Sequence, residues 1–331
     1  MQALQITGYG AISECLSLRE VPKPEVLDDE VLLEIHAASL NPHNYKTVRG
    51  EFRRIEKIAF PSPIGTDASG VVVAKGKNVT EFNIGDEVFG IVAGAISSYG
   101  TAKSTQVITK PKSISHYEAA SLPLVGLTTI QAFEWAKIAA GDRVLIHAGS
   151  GGIGTFAIQY AKTIGAYVYS TTSTQNIRFI KNLGADVAID YRREDYLDLV
   201  KDVDVVYDTL GAQYTFDAFR VIRQGGRIIS LLPAELTREV AVELGLPSLT
   251  KIIFSLKPSK IARLKKAKNA QYKFIYVDVD RRGDLIKISN LVTAGSITPI
   301  IDAIFAFNDS ISAFKYLSAG HAKGKVVIKI R

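Results

Sequence analysis

The feature that most constrains this chain is a six-residue run, Gly149-Ser150-Gly151-Gly152-Ile153-Gly154, lodged between an apolar stretch and an amphipathic one. Arg143–Ala148 reads as a buried strand. Ile153, Phe156, Ala157, Tyr160, Ala161 and Ile164 then recur at helical spacing and form a single apolar face. A G-x-G-x-x-G string is weak by itself, because glycine loops are common. Between a strand and a helix it becomes the turn that receives a dinucleotide. Its glycines allow the tight turn, the close approach of backbone to pyrophosphate and the close helix–strand contact, while the helix start supplies positive potential.

The next strand, Tyr167–Thr171, discriminates between the two nicotinamide cofactors. An NAD-preferring site usually ends this strand with an acid, about 20 residues on, that binds the ribose 2′-hydroxyl. Here the end reads Ser170-Thr171-Thr172-Ser173-Thr174-Gln175, without a carboxylate. The hydroxyls of Thr172 and Ser173, with Arg178 one helical turn on, suit a 2′-phosphate, so NADP(H) is expected. The same hydroxyls also suit a helix cap, and the two roles are compatible.

Around this loop strands and helices alternate. Arg143–Ala148, Tyr167–Thr171, Val187–Asp190, Asp204–Thr209, Arg227–Leu232 and Lys273–Val277 read as six buried strands of a doubly wound parallel sheet, the Rossmann arrangement. Upstream the pattern differs. Met1–Gly8, Glu30–Leu40, Ser69–Lys75, Asp86–Ala93 and Gly100–Thr109 are short, β-branched and separated by turn-formers, which predicts a partly open β-barrel. Ser115-His116-Tyr117-Glu118 is a capping box that opens a helix. Ile300–Phe307 and Lys325–Ile330 are too short to form a core and are expected to return to the first domain. The fold class is α/β, with domains 1–123, 124–279 and a return segment 280–331.

Composition narrows the setting. The chain has 331 residues, 47% hydrophobic and 22% charged, as in globular proteins with a real core. No apolar run approaches the roughly 18 residues of a membrane span, and Met1–Gly10 does not read as a secretory leader. The single cysteine, Cys15, can form neither an internal disulfide nor a thiolate metal site, which fits a cytoplasmic setting. The net charge of +7 is concentrated: Lys251, Lys257, Lys260, Arg263, Lys265, Lys266, Lys268 and Lys273 occur with no acid among them. That segment reads as a solvated helix face near an anionic cofactor, with a membrane surface or nucleic acid as the alternatives. Aromatic residues are sparse there, so nucleic acid is a minor reading.

Several further segments carry a resemblance. Asn41-Pro42-His43-Asn44-Tyr45-Lys46, Gly65-Thr66-Asp67-Ala68-Ser69-Gly70-Val71-Val72 and Gly85-Asp86-Glu87-Val88-Phe89-Gly90 resemble stations of the zinc-free medium-chain dehydrogenase/reductase superfamily, in its quinone oxidoreductase-like branch. So do Leu122-Pro123-Leu124-Val125-Gly126-Leu127-Thr128-Thr129 and Gly320-His321-Ala322-Lys323-Gly324-Lys325-Val326-Val327. The resemblance runs nearly end to end. It implies a GroES-like catalytic domain, a Rossmann domain, and a cleft between them for nicotinamide and substrate. It also implies Thr128 near the nicotinamide, and Gly149, Ser150, Gly151, Gly152, Ile153 and Gly154 around the pyrophosphate. Thr172, Ser173, Arg178 and Tyr191 would lie near the adenosine end, with Leu210 and Leu231 bordering the cofactor. A homodimer is implied by analogy, with Phe274–Val277 as its edge.

Zinc-dependent relatives place a Cys and a Gly-His-Glu station where this chain has Asn41-Pro42 and Gly65-Thr66-Asp67, and the histidines are scattered. No zinc site is expected. Without that Lewis acid, simple alcohol oxidation gives way to hydride transfer onto an activated acceptor. An α,β-unsaturated carbonyl (enone or enal) leads, and NADPH:quinone reduction is the alternative. A reading of another class is a non-catalytic NADPH-binding protein that associates with nucleic acid or membrane. Tyr45 and Lys46 are the candidate hydrogen-bond donor and electrostatic stabiliser, with Asp67 as the partner of Lys46; a purely structural ion pair is the competing reading. Relatives commonly carry Asp where Asn44 stands, which weakens a charge relay through this loop.

Overall fold

The computed structural model describes residues 1–331 apart from Arg54, Glu56 and Lys257. The chain divides into two compact units, one of residues 1–127 with 278–331 and one of residues 128–277. Eight strands come first: β1 (Gln2–Ile6), β2 (Leu16–Glu20), β3 (Glu30–Leu40), β4 (Ser62–Pro63), β5 (Asp67–Lys75), β6 (Glu87–Ile91), β7 (Tyr99–Lys103) and β8 (Val107–Thr109). The second unit holds β9 (Arg143–Ile146), β10 (Tyr167–Thr172), β11 (Val187–Asp190), β12 (Val203–Asp208), β13 (Ile222–Ser230) and β14 (Gln271–Phe274). The chain closes with β15 (Ile301–Ala306) and β16 (Lys325–Lys329).

In the first unit β3 is the organiser. Its eleven residues pair with β5, β7 and β16, and two register shifts, at Leu32/Leu33 and Ile35/Ala37, bend it as bulges do. Curvature brings strands very close: a Cβ on Gly70 would lie 2.1 Å from the Glu34 carbonyl oxygen, so only glycine fits there. The larger sheet runs β15-β16-β3-β5-β6-β8, beside a small sheet β2-β1-β4. Leu33, Ile35, Val72, Phe82, Val88 and Phe314 are fully buried in its core. Both closing strands join this sheet, Val327 opposite Ser39. The Ser115 capping box forms, with Ser115 N donating to Glu118 Oε2 at 2.8 Å.

The expected strand Gly100–Thr109 is two strands joined by a 3-10 turn over Ser104–Gln106. The reason is a change of partner. Tyr99–Lys103 pairs with β3 and Val107–Thr109 with β6, so the chain must turn between them.

The second unit is a parallel sheet in the order β11-β10-β9-β12-β13-β14. Counted within the unit this is the order 3-2-1-4-5-6, and the reversal falls between β9 and β12. The last strand lies earlier than the expected Lys273–Val277, because Ser230 pairs with Phe274 and the pairing ends there.

Candidate functional site

The glycine loop leaves the carboxyl end of β9, next to the reversal point, where open parallel sheets bind ligands. Its glycines answer to contacts. A Cβ on Gly149 would lie 2.1 Å from Ser170 Oγ, and one on Gly154 would lie 2.4 Å from the Ala148 carbonyl oxygen and 2.6 Å from Gly149 Cα. The loop is pinned to β10, since Ala148 N donates to Thr171 Oγ1 at 3.1 Å and Gly149 N to the Thr171 carbonyl at 2.9 Å. The helix Gly152–Ile164 starts after Gly151, and no side chain caps it. An anion is the natural partner for such an uncapped start.

At the neighbouring strand end the polar side chains converge. Asn176 Nδ2 donates to Ser150 Oγ and to Ser173 Oγ, both at 3.2 Å, which joins the glycine loop to the end of β10. Thr172 Oγ1 and Asn176 Oδ1 are buried and have no hydrogen-bond partner within the described residues. Orphaned polar atoms of this kind carry a desolvation penalty that a bound polar ligand removes. Arg178 is exposed in the first turn of the helix Ile177–Asn182. Tyr191 is exposed too, and its backbone N–H reaches the Thr172 carbonyl at 3.1 Å. Asp190, at the end of β11, turns its carboxylate to Arg192 N (3.1 Å) and Arg193 Nε (3.6 Å), and Glu194 accepts from Asp190 N at 3.1 Å. The residues fit a dinucleotide carrying a 2′-phosphate.

The edge continues over β12 and β13, tied by Asp208. Its Oδ1 accepts from Leu210 N and Gly211 N, both at 2.9 Å, while its Oδ2 accepts from Thr215 Oγ1 at 2.5 Å and Ser230 Oγ at 3.2 Å. Leu231 N donates to the Asp208 carbonyl, so both Leu210 and Leu231 take their places from this residue. His147, fully buried, places Nδ1 3.6 Å from Asp208 Oδ1; that is long for a hydrogen bond and acts as an electrostatic contact. Burial pushes the Asp208 carboxyl up, but His147, Thr215 and the Gly211 N–H outweigh it and hold the group below the usual carboxylate range. Thus Gly149, Ser150, Gly151, Gly152, Ile153, Gly154, Thr172, Ser173, Arg178, Tyr191, Leu210 and Leu231 all lie at the carboxyl edge of one sheet. Thr128 is buried in the helix Pro123–Trp135.

In the first unit the expected pair Lys46–Asp67 is not made. Asp67 is fully buried and its Oδ2 accepts from Lys325 Nζ (3.0 Å), Asn41 Nδ2 (3.0 Å) and Ser39 Oγ (3.2 Å), while Oδ1 accepts from Leu124 N (3.2 Å). Lys325 Nζ also donates to Asn41 Oδ1 at 2.6 Å. Burial lowers the lysine pKa and the Asp67 carboxylate opposes that fall. Lys46 instead faces Glu51 at 4.0 Å. Asp67 is thus buried and tied to the Asn41–Pro42 turn through Asn41 Nδ2. Asn44 serves the same turn: its Oδ1 accepts from Asn41 N at 2.8 Å and completes a capping box for the helix Pro42–Val48. Tyr45 on that helix is half-buried, with the Arg49 guanidinium 5.1 Å from its ring centre. Burial pushes its phenol pKa up.

Sequence reasoning missed the roles of Asn176, His147, Asp208 and Lys325. Only Lys325 gave a signal, a lysine leading the apolar run Val326-Val327-Ile328.

Residues 27–112 match the family model described as alcohol dehydrogenase GroES-like domain, and residues 183–328 match that described as zinc-binding dehydrogenase. Zinc itself does not fit here: Asp67 is saturated by four donors, one of them an ammonium, and Asn41 and Thr66 are neutral. Among the described residues no group of three or more His, Cys, Asp or Glu is placed to hold a metal. The chain is 32% identical to the 2-methylene-furan-3-one reductase of Solanum lycopersicum, over 99% of this chain and 79% of the relative. It is 30% identical to the chloroplastic NADPH-dependent alkenal/one oxidoreductase of Arabidopsis thaliana, with the same coverage. Among solved structures, the quinone oxidoreductase from Coxiella burnetii superposes with a TM-score of 0.87 at 33% identity, covering 100% of this chain and 99% of that one. With the GroES-like and Rossmann units in the family's order and relatives matched along almost its whole length, the chain belongs to the medium-chain dehydrogenase/reductase superfamily, in its quinone oxidoreductase branch.

Proposed function

We propose that the protein is an NADPH-dependent oxidoreductase that reduces an activated acceptor, foremost the conjugated double bond of an enone or enal, without zinc. The observation that carries this reading is the end of β10, where the buried, unpartnered Thr172 hydroxyl and Ser173 stand in place of a ribose-binding acid. When bound, NADPH supplies the hydride. The chain's own part is to hold the pyrophosphate on the loop Gly149–Gly154, to seat the 2′-phosphate against Thr172, Ser173, Arg178 and Tyr191, and to border the cofactor with Thr128, Leu210 and Leu231.

Reduction of a conjugated carbonyl places negative charge on the acceptor oxygen, which calls for a hydrogen-bond donor and then a proton. Tyr45 suits the donor role, because a phenol is protonated at neutral pH and can donate to the developing oxyanion. Lys46 would add positive potential. Asn44, engaged as a cap, offers no carboxylate for a relay, and in this reading water resupplies Tyr45. The names of the tomato and Arabidopsis relatives support the enone reading, and the Coxiella structure favours quinones as the second acceptor class.

Two further points belong to this reading. β14 is an edge of its sheet, bonded to β13, and a second copy extending that edge would give a homodimer. The cytoplasm is the compartment that suits a lone, unbridged Cys15, although the Arabidopsis relative is chloroplastic. No helix among the described residues is long and apolar enough to cross a membrane.

The test follows NADPH absorbance against 1,4-benzoquinone, 9,10-phenanthrenequinone, an enal and an enone, with a primary alcohol plus NADP as the reverse control. Turnover of enal or enone to the saturated carbonyl supports the proposal. Quinone-only turnover replaces it with the second reading, and NADPH binding without turnover replaces it with a binding protein.

A further inference from the structure

The basic segment singled out in the sequence remains outside the cofactor site, and the structure gives it an unusual neighbour. The helix Ser248–Ser255 has no buried residue. Leu249, Ile252, Ile253 and Leu256 stand at i, i+3, i+4 and i+7, the spacing that normally turns an apolar stripe into a core. Here the stripe faces outward, its members 48 to 80% exposed. Leu236 and Val242, on either side of the preceding buried Val240 and Ala241, are about half exposed as well. Contiguous apolar surface of this kind marks an interaction site.

The next helix, Lys260–Lys268, turns cations outward. Lys260, Arg263 and Lys266 are exposed, and Arg263 and Lys266 have no carboxylate partner among the described residues. Of the nearby acids, Glu239 faces Lys265, and two others are bound away from Arg263 and Lys266. Glu235 accepts from Ser259 Oγ, Lys260 N and Ile261 N at the helix start, and Glu243 pairs with Lys273 at 3.2 Å. The two helices are neighbours, since Phe254 and Ser255 of one and Ala262 and Lys265 of the other line the same cavity. Lys257, part of the same basic sequence, lies outside the described residues.

We propose that this face docks the protein onto a bilayer surface rich in anionic lipid, with the Ser248–Ser255 stripe in the headgroup region and Arg263 and Lys266 against the lipid phosphates and carboxylates. Charge decides between occupants. A second copy meeting this patch across a two-fold axis would set the cation row against itself, which repels. A nucleic acid would satisfy the cations and leave four aliphatic side chains in water, with no exposed aromatic in the stripe for base stacking. An anionic bilayer satisfies both stripes at once, and amphipathic helices with basic flanks bind such surfaces reversibly.

The experiment floats the full chain with vesicles of phosphatidylcholine alone and with about 30% phosphatidylserine added. It is run at about 0.05 M and about 0.5 M salt, with I252S/I253S and R263E/K266E as variants. These positions are exposed, so the variants should fold, and thermal unfolding checks that they do. The expected result is at least roughly tenfold more protein on anionic than on neutral vesicles, reduced at high salt and lost in both variants. Equal binding to both vesicle types, no flotation, or unchanged flotation of either variant would overturn the proposal. So would a fall in molar mass of I252S/I253S, which would assign the stripe to a second copy, or cation-dependent binding to single-stranded nucleic acid without flotation.

Discussion

Two polar clusters in this molecule differ in whether their bonds are closed. At the end of β10, Thr172 Oγ1 and Asn176 Oδ1 are buried without partners among the described residues, beside a helix start that no side chain caps. Around Asp67 both carboxylate oxygens are engaged, by Lys325, Asn41, Ser39 and Leu124 N. Unsatisfied buried atoms persist when something else completes them, while saturated ones hold the fold together. The first cluster therefore reads as a binding surface and the second as a lock.

The largest way to break that distinction is at the glycine loop. G154V drives a side chain into the Ala148 carbonyl and the Gly149 backbone, and should weaken NADPH binding by about 100-fold or more, read by fluorescence titration. The reverse test falls on the lock. K325M leaves Asp67 as an uncompensated buried charge and should destabilise the protein by about 3–5 kcal/mol in denaturant unfolding. The folded remainder should bind NADPH with nearly wild-type affinity; a parallel loss of affinity would show that the two clusters do not have separate roles.

The β10 end then sharpens the account of cofactor choice. S173D places a carboxylate where a 2′-phosphate would sit and should reduce NADPH affinity by about 10- to 50-fold, with NADH affected far less. D208N should act more mildly, raising the NADPH dissociation constant by about tenfold with kcat nearly kept, because the Leu210–Gly211 turn loses a charged acceptor. It also has a pH signature. The Asp208 carboxyl is held below its usual range in the fold, so its stabilisation is present above about pH 4 and fades as pH falls through the lowered value. D208N should lose this acid-side slope in a series of unfolding midpoints.

Much of the fold was legible because hydrophobic period and turn chemistry are local. The strand Glu30–Leu40, the Ser115 cap and the loop Gly149–Gly154 could each be read from a few neighbouring residues. What failed depended on partners far along the chain. Nothing local to Gly100–Thr109 says that its halves pair with different strands. Nothing near Lys46 says that Lys325, 258 residues beyond Asp67, will reach the carboxylate instead. His147 and Asp208 likewise meet only because parallel pairing aligns β9 with β12.

The most direct measurement titrates the purified protein with NADPH and NADH side by side, by nicotinamide fluorescence or calorimetry. The account predicts saturable NADPH binding at least roughly tenfold tighter than NADH, abolished in G154V. Equal affinity for the two cofactors, or NADPH binding that survives G154V, would contradict it.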